Sequence, residues 1–245
     1  MNCLVIDCSS EILGVAVSTS NSGTGRPALP KHPYKTPATG TTRDGLICIS
    51  IDAGYRHAER LMSAVEYCVH EAGLQASELD LLACTGGPGS FTGLRIALST
   101  IKGLALGLGK PYVLVPTLEV FAYESLALCK VVVPLLDAKR NQSYAAIYRD
   151  GKLSDGPFDI KPEELAEKLE HDEEILFVGP HNSVLADKFT VRAGWRFAPD
   201  TRQAPLAALT ALAISHFMQT GGAESSAGLW YLRASDAEEA VERNA

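Results

Sequence analysis

Apolar runs alternate with polar turns along the first half of the chain, and their length and spacing predict its secondary structure. Short apolar runs bounded by turn residues are typical of strands, whereas apolar residues at every third or fourth position indicate an amphipathic helix. In chain order the pattern predicts strands at 2–7, 12–19 and 46–52, a helix at 57–72, a strand at 79–85, a helix at 94–108 and a strand at 112–115. The first half therefore has the plan of an α/β domain.

The second half begins on the same plan. Its pattern predicts strands at 131–137, 142–150 and 174–179 and helices at 162–170 and 205–219. Asp7 and Asp137 end the first strand of their respective halves, so they occupy equivalent places. We expect an internal duplication of a β-β-β-α-β-α unit, although the two halves share little sequence identity.

The composition is that of a globular protein, since 46% of the 245 residues are hydrophobic and 21% are charged. This excludes a wholly disordered chain. With 22 basic and 29 acidic residues, the net charge of −7 also excludes a strongly basic nucleic-acid binder. Residues 1–110 contain 9 residues of each sign, whereas residues 111–245 contain 13 basic and 20 acidic ones. This split predicts two unlike lobes.

No segment of the sequence predicts export or membrane insertion. The N-terminus lacks a basic region, and Asp7 interrupts its apolar run. The uncharged stretch 203–223 has too short an apolar core to span a bilayer. The six cysteines are scattered without a CxxC pair, which indicates reduced thiols rather than disulfides or a zinc site. We therefore expect a cytoplasmic protein that does not contact the membrane.

Residues 20–45 differ in composition from their surroundings. They contain four prolines, four glycines, four basic residues and a single acid, Asp44. Such a segment cannot form a core, so we expect a mobile hairpin loop here.

A glycine-rich segment, TGGPGSFTGLR at 85–95, lies between a predicted buried strand and a predicted helix. Its backbone N–H groups fit an anion-binding nest at a helix N-terminus. It is not a Walker loop, because Leu94 stands where that motif requires Lys, and its glycine spacing is not GxGxxG. A tight strand-to-helix turn with Ser90 or Thr92 as N-cap is the simpler explanation on physical grounds, and both explanations remain open.

The helix at 94–108 is apolar on more than one face. Arg95, Ser99 and Lys102 form one narrow polar stripe, and two small residues, Gly103 and Gly107, are four positions apart. A helix of this kind must be covered on more than one side. Either it is buried inside one domain or a partner chain covers its second face, and the pattern alone favours neither.

Asp7 and Asp137 are candidate nucleotide-binding residues, together with Ser10. Paired carboxylates at a cleft suit a magnesium–nucleotide complex. However, Lys139 and Arg140 follow Asp137 where a phosphate-binding turn requires glycine, so turn capping explains both aspartates at least as well. The histidines form neither an H-x-x-x-H pair nor a Ser-His-Asp arrangement, so we predict no metal site and no catalytic residue.

Five segments resemble the TsaB (YeaZ) family, the bacterial accessory subunits of tRNA threonylcarbamoyladenosine biosynthesis. They are LVIDCSSEILGVAVS at 4–18, HAERL at 57–61, TGGPGSFTGLRIALSTIKGLALGLGKPYVLVPTLE at 85–119, DAKRNQSYAAIY at 137–148 and WYLRASDAE at 230–238. The GPGSFTGLRIA stretch is the most specific of them. The resemblance covers the chain except for residues 20–45.

The resemblance implies an α/β protein with two actin-like (RNase H-like) lobes, each a mixed sheet flanked by helices. The first lobe is expected at 1–115 and the second, acidic lobe at 116–245, with a C-terminal segment that packs back. The resemblance also implies a non-catalytic role without a cofactor. The catalytic relative TsaD has a metal-binding His-x-x-x-His where this chain has Thr117 and Phe121, so that metal cannot be held here.

The resemblance further implies protein partners. In this family the first-lobe helices, here 57–72 and 93–108, form a bundle with TsaD or with a second copy of TsaB. The residues expected at this interface are Leu61, Met62, Val65, Leu94, Leu98, Ile101 and Leu104.

The function expected from the resemblance is that of a scaffold. The protein would bind a TsaD homologue and, with a TsaE homologue, support transfer of threonylcarbamoyl to N6 of adenosine 37 in ANN-decoding tRNAs. It would form a homodimer when alone and meet tRNA only through its partner. The alternative is an ATP-dependent phosphotransferase of the same superfamily that uses Asp7 and Asp137. A metalloprotease is excluded by the missing histidine pair.

Overall fold

A computed structural model of the chain describes residues 1–19, 41–43, 45–170, 172–190, 192–201, 203–224 and 226–233. The chain divides into two compact units. Unit 1 comprises residues 1–86, 92–115 and 202–228, and unit 2 comprises residues 87–91, 116–201 and the segment from 229 onward.

The secondary-structure elements follow one another in an order that mixes strands and helices in both halves. Up to residue 115 they are β1 (Cys3–Asp7), β2 (Ile12–Ser18), β3 (Thr41–Arg43), β4 (Leu46–Asp52), α1 (His57–Glu71), β5 (Leu81–Thr85), α2 (Phe91–Leu108) and β6 (Tyr112–Val115). After it they are α3 (Thr117–Ala122), β7 (Val131–Lys139), β8 (Gln142–Arg149), β9 (Lys152–Ile160), α4 (Pro162–Glu167), β10 (Ile175–Val178), α5 (Asn182–Ala186), β11 (Trp195–Phe197) and α6 (Leu206–Thr220).

The sheet of unit 1 has six strands in the order β3-β4-β2-β1-β5-β6. β1 runs antiparallel to β2 and parallel to β5. Three antiparallel strands, β2, β4 and β3, therefore lie on one side of it and two parallel strands, β5 and β6, on the other. Alternate strand residues such as Leu4, Ile6, Leu13 and Val15 join residues of α1 and α2 in one buried core. This packing follows from the two-residue period of a strand, which sends every second side chain to the same face.

α6 returns to unit 1 from the second half of the chain and packs on β1, β5 and β6. Its approach depends on a glycine in β2, because a Cβ built on Gly14 would lie 2.4 Å from the Cβ of Ala204 and 2.9 Å from a methyl of Leu206. Any larger residue at this position would force the start of α6 away from the sheet.

The sheet of unit 2 has five strands in the order β11-β10-β7-β8-β9. Its strand directions repeat those of β6-β5-β1-β2-β4, since β7 is antiparallel to β8 and parallel to β10. An aromatic cluster fills its core, where the ring of Phe177 stacks on that of Phe197 at a centroid distance of 4.4 Å. The common strand order confirms the expected duplication and the two-lobed α/β fold.

Three features differ from the sequence-based expectations. The division after residue 115 recurs, but α6 joins unit 1 and residues 87–91 join unit 2. The short elements β3, α3, α5 and β11, and the edge strand β9, were not predicted, because segments of three to nine residues carry little periodic signal. Within the segment 20–45, where a hairpin loop was expected, the strand β3 pairs with β4. Residues 20–40 and Asp44 of this segment lie outside the described residues.

Candidate functional site

α2 has one buried face and one exposed face. Four apolar residues three or four positions apart are buried against unit 1: Leu94, Ala97, Ile101 and Ala105. The opposite face, which we call the glycine face, is exposed and consists of Arg95, Ser99, Gly103, Leu106 and Gly107. The helix is long and apolar enough in composition to meet a membrane-span criterion. Its buried face shows that one side of it instead belongs to the core of unit 1.

No contact among the described residues explains why the two positions 103 and 107 of this face are glycine. A Cβ added to Gly103 or Gly107 would meet no atom within 4 Å, and neither residue has the positive φ that favours glycine. Glycine in a helix interior costs about 1 kcal/mol relative to alanine. Leu106 between them is 87% exposed, so the face combines a large apolar side chain with backbone that a neighbour can approach closely.

The structure divides the seven residues expected at the interface into two groups. Leu61, Val65, Leu94 and Ile101 are at most 5% exposed and belong to the core of unit 1, so they cannot present a surface to a partner. Met62 is 45% exposed, and Leu98 and Leu104 are partly exposed. The candidate surface therefore consists of Met62, Leu98 and Leu104 together with the glycine face.

Leu106 is an exposed apolar residue of α2 that the sequence-based interface prediction did not include. The signal that identifies it is the spacing of the glycines, because residues 103, 106 and 107 share one side of a helix with a 3.6-residue period. An aromatic residue, Tyr55, lies just before α1 and is fully exposed. Exposed aromatic and leucine side chains next to small residues are suited to protein contact.

Asp7 ends β1 and is held by the turn that follows it. Its Oδ1 accepts hydrogen bonds from the Ser9 backbone N–H at 2.9 Å and from the Thr85 hydroxyl at 2.8 Å. The Ser10 hydroxyl is used locally, since it accepts the Ile12 backbone N–H at 3.2 Å. The carboxylate is 1% exposed, and burial raises its pKa although these hydrogen bonds act in the opposite direction.

Asp137 lies at the equivalent place in unit 2, but cations surround it. Lys139 donates to it from its backbone N–H and from Nζ, at 3.1 and 2.8 Å, and Lys188 Nζ lies 3.7 Å from Oδ1. Partial burial acts to raise the pKa of Asp137, but the contacts of Lys139 and the charge of Lys188 outweigh it and lower the pKa. This arrangement matches the turn-capping explanation, and the lysines occupy the space that a magnesium ion would need.

The glycine-rich loop uses part of its backbone inside the protein. The Gly86 N–H donates to the Val115 carbonyl at 2.8 Å, and the Gly87 N–H donates to the Thr117 hydroxyl at 3.1 Å. The Thr117 N–H returns a bond to the Gly87 carbonyl at 2.9 Å. Thr117 thus fastens the loop, and it does so at the position where TsaD was expected to carry a metal-binding histidine. These bonds favour the tight-turn explanation for the start of the loop.

The described residues contain no group of three or more His, Cys, Asp or Glu side chains placed to hold a metal ion. All six cysteines are free thiols, and we refer to Cys3, Cys8, Cys68 and Cys84 as the four buried thiols. Burial raises the pKa of each of them, to about 12 for Cys3 and Cys68, which keeps these sulfurs protonated and unreactive.

Comparison with known proteins identifies relatives for most of the chain. The family model described as "TsaD: tRNA N6-adenosine threonylcarbamoyltransferase" matches residues 51–223. The TsaB protein of Bacillus subtilis, named for tRNA threonylcarbamoyladenosine biosynthesis, is 31% identical over 137 residues, which cover 52% of this chain and 58% of the relative. The TsaB protein of Haemophilus influenzae is 30% identical over 144 residues, covering 57% and 59%. The chain thus spans under two thirds of the length of these curated relatives.

Solved structures agree on the fold. A Pseudomonas aeruginosa protein described as similar to peptidase YeaZ superimposes with a TM-score of 0.74, covering 95% of this chain and 99% of that one, at 24% identity. YeaZ from the same organism gives a TM-score of 0.72 with 94% and 99% coverage. The curated relatives confirm the resemblance drawn from the motifs, and the solved structures confirm its fold.

Proposed function

The chain belongs to the TsaD family of tRNA N6-adenosine threonylcarbamoyltransferases, and we propose that it is a non-catalytic, partner-binding member of that family. In this proposal it acts in tRNA threonylcarbamoyladenosine biosynthesis, in the cytoplasm, as the curated TsaB relatives do by their names. It binds a TsaD homologue and, with a TsaE homologue, supports threonylcarbamoylation of N6 of adenosine 37 in ANN-decoding tRNAs.

The glycine face of α2 is the observation that supports this proposal most strongly. Two helix-interior glycines with open space around them cost stability and serve no contact within unit 1. This loss of stability is explained if a helix of another chain packs closely against Gly103 and Gly107 and if the Leu106 side chain packs between the side chains of that helix. Met62 on α1 is exposed, and Leu98 and Leu104 on α2 are partly exposed, so these apolar residues are available beside the glycine face. When the TsaD homologue is absent, a second copy of this chain is the occupant that we expect.

A non-catalytic role is supported by the positions that would carry chemistry. Thr117 is fully buried and bonded to Gly87, and Phe121 packs in the core of unit 2, so neither offers a metal ligand. The phosphotransferase alternative requires Asp137 to be available to magnesium, yet two lysines already pair with it. The excess of acidic residues in the second half supports a contact with tRNA through the partner rather than through this chain.

The test is co-purification of the full chain with a TsaD homologue from the same organism. Leu106→Asp places a charge in the centre of the glycine face, and because the side chain is 87% exposed the chain should still fold. We expect this variant to lose the partner, and Met218→Asp on α6, where the side chain is 76% exposed, to retain it. Partner recovery with Leu106→Asp equal to that of the unmodified chain would contradict the proposed surface.

The proposed homodimer is tested separately by sedimentation velocity of the purified chain. We expect a concentration-dependent dimer that Leu106→Asp converts to a monomer. A chain that stays monomeric at high concentration would refute the homodimer while leaving the TsaD partner open.

A further inference from the structure

The charged residues of α2 are both cations. Among its 18 residues the helix carries Arg95, which is exposed, and Lys102, which is half-buried, and it carries no acid. The two cations are seven positions apart, close to two turns of a helix, so they lie along one edge of the glycine face. A partner that covers this face must bring anionic groups to the same edge, because a cation that is covered without an anion is costly.

The exposed face of α1 carries the opposite charge at the same spacing. Glu59 and Glu66 are both exposed and are also seven positions apart. Met62 and Ser63 lie between them on the same side of the helix and are exposed as well. In each helix the two charges are separated by about 10 Å along the axis, at 1.5 Å per residue. Both carboxylates can therefore meet both cations of an α2 helix at once.

Two neighbouring cations on α1 leave this face acidic. Glu59 Oε2 accepts a hydrogen bond from Arg56 Nε at 2.8 Å, and both side chains are 60% exposed. A surface pair of this kind contributes at most about 1 kcal/mol, so it does not prevent Glu59 from meeting a second cation. Arg60 is one position further along and lies about 100° around the helix from Glu59, at the margin of the face.

The side-chain sizes of the two faces are complementary too. On α1 the Met62 side chain is 45% exposed. On α2 a Cβ at Gly103 or Gly107 would meet no atom within 4 Å. A large side chain of one helix can therefore enter the open space over the glycines of another, and such close packing brings the charges at the edge within reach of each other.

We propose that in the homodimer α1 of one copy packs on the glycine face of the other copy's α2. The carboxylates of Glu59 and Glu66 then pair with the two cations of that α2 and set the register of the helices. This inference rests on the homodimer of the proposed function. In a two-fold dimer the contact is made twice, because each copy supplies one α1 and one α2. Antiparallel pairing of α2 with the other copy's α2 would instead bring the two cationic edges together, which is unfavourable.

The test exchanges the charges in two double variants of the full chain. Arg95→Glu with Lys102→Glu makes both faces acidic, and Glu59→Lys with Glu66→Lys makes both faces basic. In sedimentation velocity we expect each variant alone to dimerise at least about tenfold more weakly than the unmodified chain, because like charges then meet across the interface. An equimolar mixture of the two variants should form a heterodimer, since every acidic face finds a basic one in it.

A matched control separates this effect from a change of net charge. Lys152→Glu with Lys161→Glu alters the charge of the chain by the same amount at two exposed positions of unit 2, and it should dimerise as the unmodified chain does. Circular dichroism shows whether each variant is folded. If the variant with the half-buried Lys102 replaced is not, Arg95→Glu alone, at an exposed position, should still weaken dimerisation at least about threefold.

Each other outcome overturns the pairing in its own way. If both double variants dimerise as the unmodified chain does, the charges do not lie at the contact, and the homodimer itself stands. If both are weakened but their mixture forms no heterodimer, α1 does not face α2 of the other copy. An unmodified chain that stays monomeric overturns the homodimer and this pairing together. Co-purification with the TsaD homologue is read independently of all three.

Discussion

Replacing both Gly103 and Gly107 with alanine should make the chain more stable and its association weaker. Each added Cβ enters open space within unit 1, and alanine is favoured over glycine in a helix interior by about 1 kcal/mol. The double variant should therefore gain roughly 1–2 kcal/mol in free energy of unfolding. A gain of this size shifts the urea midpoint upward without changing the slope of the transition.

The same two substitutions should weaken association with the partner chain. A helix that packs on Gly103 and Gly107 approaches their backbone closely, so two added methyl groups would clash with it. Overpacking of a fitted contact costs about 1–3 kcal/mol, which corresponds to a roughly 5- to 150-fold weaker affinity. Stability and association move in the same direction for most mutations, so this divergence is a specific signature of glycines that serve a contact.

The two quantities are measured on the same preparations, by urea denaturation and by sedimentation equilibrium of the chain alone and with its TsaD homologue. Gly228→Ala is the matched control, because a Cβ there also meets no atom within 4 Å but the residue lies outside α2. The control should leave association unchanged. If the double alanine variant is stabilised yet associates as the unmodified chain does, Gly103 and Gly107 line no interface and the reasoning is refuted.

Three further properties of the fold can be tested on the isolated chain. Gly14→Ala should destabilise it by about 1–3 kcal/mol in urea denaturation, because the new methyl overlaps the start of α6; an unchanged midpoint would contradict the packing. Asp137→Asn should lower the free energy of unfolding by roughly 0.5–1 kcal/mol at pH 7, and the loss should fade as the pH falls below about 4, because a folded-state pKa that is lowered stabilises only the ionised form; a pH-independent difference would exclude the charge as its cause. In the native chain a thiol reagent at pH 8 should modify Cys48 and Cys129 but not the four buried thiols, and all six should react in denaturant; fast reaction at a buried thiol would show that its segment opens.

The sequence was sufficient for the architecture because the strands of both sheets carry strong apolar patterns. Runs such as 131–136 and 81–85 are buried on both faces, and burial on both faces produces a continuous apolar run. The return of α6 to unit 1 could not be predicted, since nothing in 205–219 indicates which sheet the helix covers. That information lies in the fit between Gly14 and Ala204, which are far apart in sequence.

The sequence points to the helix of the proposed interface but not to the exposed residues that would form it. α2 is apolar around most of its circumference, so periodicity does not distinguish the face against the sheet from the face against a partner. Large residues were therefore expected at the interface, and Leu94 and Ile101 proved to be core. The small residues were the better guide, because a glycine that no internal contact explains indicates a contact from outside.

The two halves of the duplication show how one topological position can acquire different chemistry. Asp7 ends β1 and Asp137 lies near the end of the equivalent strand β7. The donors to Asp7 are neutral, a backbone amide and a hydroxyl, and burial raises its pKa. Asp137 is paired with Lys139 and Lys188, which cancel its charge from within unit 2. A phosphotransferase needs both carboxylates to share a metal–nucleotide complex, so the pairing of Asp137 with two lysines argues against that activity.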